Sequence, residues 1–378
     1  MMSDSAQKKP VVNPRRPTTL PYRVGLLIDW AYETAPVNDY ADAITLACEE
    51  AHAKGLIDRP VELVVRRVYG GPNASALDVL AAFRELINER VLAVIGPTLP
   101  DDMMACRQEF DRAATPVLSF GGTMGISSPY VFQLPNGTYA DEVHMIVNYA
   151  RASGCKSIGL LRDQTLMGME YQATFALATR DAGIRVAGVH GIRPSPDNPE
   201  LLEGLKALRD ADADALLVIS VSLQAPIEAA LKQLDWSPMK LMVCNFVASI
   251  PGFDGAEPFE GWVGIDQYHE ENPVFRNLVA RFSDRFGRHA AHTYQAIGYD
   301  IGRALCYAFS MMAPATPEGL REALEKVRML PAAAGGPGTV ISFSQSTRRG
   351  YQGNYLVYRR VTNGRNEAIG TLGDHLYK

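Results

Sequence analysis

"VLAVIGPTLPDDMMACRQEFDRAATPVLSFGGT", residues 91–123, decides how the rest of the chain is read. Its first apolar run ends in Gly-Pro and is too short and too aliphatic for an independent helix, so it reads as a buried strand. A helix follows from about Leu99 to Ala114, and a second strand, "TPVLSF" (115–120), runs into Gly-Gly-Thr. Strand, helix and strand in this order make one parallel βαβ unit. Both loops then lie at strand C-terminal ends and face one crevice, the place where such sheets hold ligands. Gly121 and Gly122 permit close backbone approach, and Thr123 offers a hydroxyl.

The same alternation extends outward. "YRVGLLID" (22–29) reads as a strand, followed by a loop rich in Trp30, Tyr32 and Pro36, of which Trp30 is a candidate ligand contact. "YADAITLACEEAHAKG" (40–55) has helical spacing with a Gly stop, "VELVVRRVY" (61–69) is a strand and "ASALDVLAAFRELINER" (74–90) a helix. After "VFQLPNGTY" the rhythm restarts. Helices are expected over 139–154 and 168–183, in "PELLEGLKALRDAD" and in "QAPIEAALKQLDW"; strands in "SIGLLRD", "RVAGVHGI", "ALLVIS" and "KLMVCNF". Two successive arrays predict an α/β protein with two doubly wound, mostly parallel sheets. Beyond residue 272 come two helices broken near Gly287 and a third over 316–327. "GTVISFS" and "NYLVYRRVTNG" then read as a terminal antiparallel pair.

Composition narrows the function. The chain has 378 residues, 47% hydrophobic and 21% charged, which is globular and long enough for two lobes. A net charge of -5 leaves no basic footprint for nucleic acid, and no apolar run approaches the roughly 20 residues that span a bilayer. Residues 1–21 carry Arg15-Arg16 but no apolar h-region, so they read as a disordered arm; the chain either stays in the cytoplasm or has lost a leader. Five separated cysteines without a CxxC pair read as buried thiols. The first strand's turn, "IDWAYETAPVN", lacks the glycines a dinucleotide needs, and no Gly-Lys-Ser/Thr loop or Gly-x-Ser-x-Gly elbow occurs. His289 and His292 could share a helix face, but a solvated face is the simpler reading. No catalytic residue, metal or cofactor is expected.

From Tyr22 to about Arg360 the chain resembles the type I periplasmic binding proteins of the leucine/isoleucine/valine-binding group. The resemblance is carried by "VLAVIGP", "ATPVLSFGGT", "YVFQLPNGTYADEVHMIVNYA", "SIGLLRDQTLMGMEYQATF", "HTYQAIGYDIGRALCYAF" and "GGPGTVISFSQSTRRGYQGNYLVYRRV" in that order. It implies two Rossmann-like lobes joined by three crossovers: residues 22–137 with 268–338, and 138–267 with 339–378. The lobes close on one small molecule without transforming it. The implied role is the substrate-binding component of an ABC importer for amino acids or related compounds, with a permease as partner and the periplasm as its place. The alternative is a cytoplasmic amide-type sensor acting on a regulatory protein.

Carried over residue by residue, the family's serine in the first loop falls on Pro100, or on Thr98 if the loop slips, and the threonine of the second loop is Thr123, preceded by Gly122. An aromatic of the second lobe falls near Met167, the strand-end residue on Ser220 or Ser222, and the acid that pairs an ammonium on Asn245. Met167 and Asn245 depart from the pattern, and the family's early disulfide has no cysteines here. Thr98 and Asp101 have capping-box spacing, and Asp101 and Asp102 complement the positive helix end by about 0.3–1 kcal/mol each. A ligand carboxylate about 4 Å away would be repelled by roughly 4 kcal/mol at a dielectric near 20. A neutral polar ligand such as an amide therefore fits better than a free amino acid, unless both aspartates face solvent.

Overall fold

The computed structural model describes residues 20–30, 35–71, 74–193, 199–220, 224–243 and 256–376. The predicted alternation begins with β1 (Tyr22–Ile28), α1 (Ala35–Ala53), β2 (Val61–Arg67), α2 (Ala76–Asn88), β3 (Ala93–Ile95), α3 (Pro100–Ala113), β4 (Val117–Ser119) and β5 (Val131–Gln133). These strands form one parallel sheet in the order β2-β1-β3-β4-β5. The winding direction reverses between β1 and β3, so a crevice opens at their C-terminal ends.

The second array runs through α4 (Tyr139–Ala152), β6 (Ser157–Asp163), α5 (Leu166–Ala182), β7 (Arg185–Ile192), α6 (Glu200–Asp210), β8 (Ala215–Ile219), α7 (Gln224–Gln233), β9 (Met239–Met242) and β10 (Val263–Asp266). Then come α8 (Pro273–Phe286), α9 (Thr293–Met311), α10 (Pro317–Leu324) and three short strands, β11 (Leu330–Pro331), β12 (Val340–Ile341) and β13 (Tyr351–Gln352), paired as a small antiparallel sheet. β14 (Val357–Thr362) and β15 (Arg365–Thr371) complete a seven-stranded sheet, β15-β14-β10-β9-β8-β6-β7, parallel from β10 to β7.

Burial follows the sequence pattern. β8 reads "ALLVI" and is buried along its whole length, as a central parallel strand covered on both faces must be. α9 is apolar around most of its circumference and is buried from Thr293 to Gly302, so it serves as a core helix rather than a surface one. It packs on α1, where Cys48 and Cys306 bring their sulfurs to 3.7 Å. Both are free thiols, as are buried Cys106 and half-buried Cys155; Cys244 lies outside the described residues. No described helix is long and apolar enough to cross a membrane.

Several expectations are corrected. The terminal pair is not "GTVISFS" with "NYLVYRRVTNG": β12 belongs to the small sheet, and β14 pairs with β15. The turn between them is Asn363-Gly364, both at positive φ (52° and 70°), the backbone that a tight hairpin demands. β5 and β10 are three and four residues long, too short to show a period. α1 begins at Ala35, earlier than its periodic face suggests. His289 and His292 do not share a helix: His292 caps α9 and bonds Asp39 at 2.9 Å, and no metal-holding cluster exists among the described residues. The proposed arm falls outside the described residues up to position 19.

Candidate functional site

β1 and β3 run parallel with Leu26 beside Ile95. Three residues further along, the same register brings Asp29 beside Thr98. Asp29 is wholly buried and accepts from the Thr98 N–H at 2.7 Å, the Leu99 N–H at 2.9 Å and the Thr98 hydroxyl at 2.6 Å. The Trp30 indole N–H donates to the same Thr98 oxygen. The anion socket at the start of α3 is thus already filled by the protein's own carboxylate. Gly96 makes the preceding bend possible: its φ is +92°, and a Cβ there would lie 2.3 Å from the Leu27 carbonyl oxygen.

The expected capping box does not form. Leu99 is the N-cap and makes no side-chain cap bond, while Pro100 is buried as the first helical residue. Thr98 stands one position too early, and Asp29 supplies from a neighbouring strand the acceptor that Asp101 would have had to supply locally.

The two first-turn aspartates diverge, and neither simply faces solvent. Asp102 turns inward, is fully buried, and accepts the Gly71 N–H at 2.9 Å. Burial, followed by the negative charge of Asp29, pushes its carboxyl up to about 8. Asp29 is also pushed up by burial, but its three donors favour the anion, so Asp29 keeps the charge and Asp102 the proton. Asp101 is half-buried, and its Oδ1 accepts the Leu166 N–H of α5 at 3.4 Å.

The second loop is built by β4 and β5. The Ser119 hydroxyl donates to the Pro97 carbonyl at 2.7 Å and accepts the Gly121 N–H at 3.0 Å. A Cβ on Gly121 would lie 2.1 Å from the Met103 sulfur and 2.7 Å from the Thr98 carbonyl, so the two loops interlock only around glycine. Gln133, beside Ser119 in the β4–β5 register, donates to the carbonyls of Gly121 (2.8 Å) and Thr123 (3.1 Å). Residues 348–350 run alongside Gln133 and bring Arg349 under the loop. Its guanidinium donates to the carbonyls of Thr123 at 3.2 Å and Gly122 at 3.1 Å, and reaches those of Gly137 and the Gln133 amide oxygen at longer range.

α5, from the second array, meets this loop. Thr165 caps it by accepting the Gly168 N–H at 3.1 Å, and Leu166 and Glu170, four residues apart, share a face. The Thr123 hydroxyl donates to Glu170 Oε1 at 2.9 Å. Burial raises the half-buried Glu170 carboxyl, against the Thr123 bond and the charge of Arg349, which lower it.

Of the predicted residues, Trp30, Thr98, Pro100, Asp101, Gly121, Gly122 and Thr123 come together at the ends of β1, β3 and β4. Thr98, however, spends its hydroxyl inside the protein, and Gly121 spends its N–H on Ser119. Met167 is half-buried on the first turn of α5, and Ser220 is buried directly after β8. Ser222 and Asn245 lie outside the described residues. Sequence reading missed Asp29, Glu170, Gln133 and Arg349. Asp29 carried a usable signal, an acid ending an otherwise apolar strand; Arg349 carried none, being more than 200 residues from the carbonyls it holds.

The periplasmic binding protein family matches residues 21–365. Among solved structures, a possible leucine/isoleucine/valine-binding protein from Rhodopirellula baltica superposes with a TM-score of 0.80 at 16% identity, covering 95% of this chain and 98% of that one. A leucine-binding protein from Thermotoga maritima gives 0.76 at 18%, covering 93% and 98%. An ABC transporter substrate-binding protein from Desulfitobacterium hafniense in complex with Leu gives 0.73 at 16%, covering 93% and 100%. No curated protein sequence matches the chain. With the family matched across nearly the whole length, and with one parallel and one mostly parallel doubly wound sheet, this chain belongs to the periplasmic binding protein family and has its type I fold.

Proposed function

We propose that this chain is the substrate-binding component of an ABC importer, closing without catalysis around one small polar molecule, an amino acid, amide or related compound. One observation carries the reading: the Thr123 hydroxyl, in the loop after β4 of the first array, meets the Glu170 carboxylate on α5 of the second at 2.9 Å. The halves that close are built on residues 22–137 and on residues 138–267, moving as a hinge. The names of the solved neighbours, among them a leucine-binding protein and an ABC substrate-binding protein with Leu, support the importer role and a permease partner over the cytoplasmic sensor. The charges around the α3 start favour an amide over an acid. Asp102 is buried and neutral, but Asp29 fills the α3 socket and Asp101 stands at the meeting of the two arrays, so a ligand carboxylate finds its donors taken.

A thermal-shift screen of amino acids, amides, ureas and aromatic carboxylates tests the reading. A ligand at about 100 times its Kd stabilises the native state by about 2.7 kcal/mol, a shift of several degrees. Conversion of the ligand to product, or no shift across the panel, would overturn it.

A further inference from the structure

The charge of Glu170 is not matched by any other side chain. Among the described residues it forms no ion pair within 4.0 Å, and its Oε2 is shielded from solvent with no hydrogen-bond partner. Its other oxygen takes the Thr123 hydroxyl, and the Met124 backbone N–H also donates to the carboxylate. The nearby cation does not neutralise it by contact: Arg349 commits its guanidinium to the carbonyls of Gly122, Thr123 and Gly137 and to Gln133. Asp101, also close enough to act on Glu170, has the same sign and takes its hydrogen bond from the Leu166 backbone. A shielded carboxylate oxygen without a donor is costly, and the cost is removed by a partner that brings an N–H, most strongly one with positive charge.

We propose that Glu170 sets the charge of the ligand: its Oε2 accepts an N–H from a protonated nitrogen, so the site takes small organic cations and rejects carboxylates. The inference rests on the binding role proposed above and narrows it. It assigns to a helix side chain the ammonium-pairing work that the resemblance placed at position 245. It also gives the Thr123–Glu170 bond a second meaning, since that carboxylate occupies the hydroxyl a ligand acid would need.

The test uses four probes on one carbon skeleton: L-leucinamide, L-leucine, 4-methylpentanamide and 4-methylpentanoate. Titration calorimetry on the full chain at pH 7 should rank leucinamide first and 4-methylpentanoate last, at least tenfold apart. Glu170→Gln keeps the shape and removes the charge; it should weaken leucinamide at least tenfold, and at least fivefold more than it weakens the neutral 4-methylpentanamide. The wild-type ranking needs no variant, so it stands if Glu170→Gln fails to fold. Equal or tighter binding of 4-methylpentanoate by the wild type overturns the proposal. So does a screening hit that lacks a protonated nitrogen and binds Glu170→Gln as well as wild type; in both cases the binding role survives. If neither the probes nor the wider panel binds, the binding role falls, and the charge assignment with it.

Discussion

Replacing Asp102 by Asn isolates the buried carboxyl pair at the start of α3. The ordinary value for an aspartate is 3.8, and in this fold Asp102 titrates at about 8, for burial first and the neighbouring Asp29 second. Because the folded value is raised, the stability from this group is complete below about pH 4. It is lost as pH rises: the unfolded chain releases its proton while the native protein must hold one, until the native group also ionises near 8. One pH unit of such a gap is worth about 1.4 kcal/mol, so between pH 5 and 9 the ceiling is about 4 kcal/mol. Asp29 shares the titration, which brings the expected figure to about 1–3 kcal/mol. Asn keeps an oxygen for the Gly71 N–H and never ionises. Urea unfolding of both proteins at pH 5 and pH 9 should therefore show Asp102→Asn gaining about 1–3 kcal/mol on wild type between the two conditions. A stability difference that is flat across this range, or that moves in wild type's favour at pH 9, refutes the assignment of the proton to Asp102.

Thr123→Ala removes the hydroxyl that bonds Glu170 and should weaken every ligand by about 1 kcal/mol or somewhat more, roughly five- to tenfold in Kd by calorimetry. An unchanged Kd would place the ligand elsewhere. Gly121→Ala forces a methyl to within 2.1 Å of the Met103 sulfur and 2.7 Å of a backbone carbonyl, and should cost about 1–3 kcal/mol, read as a fall of several degrees in Tm. A neutral result would mean that the two loops part more easily than their packing indicates.

The sequence by itself determined the class of fold. Hydrophobic period, strand length and helix punctuation are local properties, so the βα alternation, the break at Gly287 and the crevice at the ends of β3 and β4 were legible residue by residue. Composition also settled the absence of a membrane-spanning run. What escaped was short or distant: the three- and four-residue strands β5 and β10, and the pairing of β14, which followed the turn at Asn363-Gly364 rather than the earlier apolar run. The site itself was decided by tertiary structure. Thr98 and Asp101 had the spacing of a local cap, yet the parallel register of β1 and β3 delivers Asp29 with two oxygens for the same donors. Asp101 and Asp102 are neighbours in sequence, but one helical step of 100° sends one toward α5 and buries the other against Gly71. Glu170 and Arg349 reach the Thr123 loop from 47 and 226 residues away, through helix packing and an added strand segment. Contacts of that separation leave no periodic trace, because they are fixed by which surfaces pack and not by the order of residues along the chain.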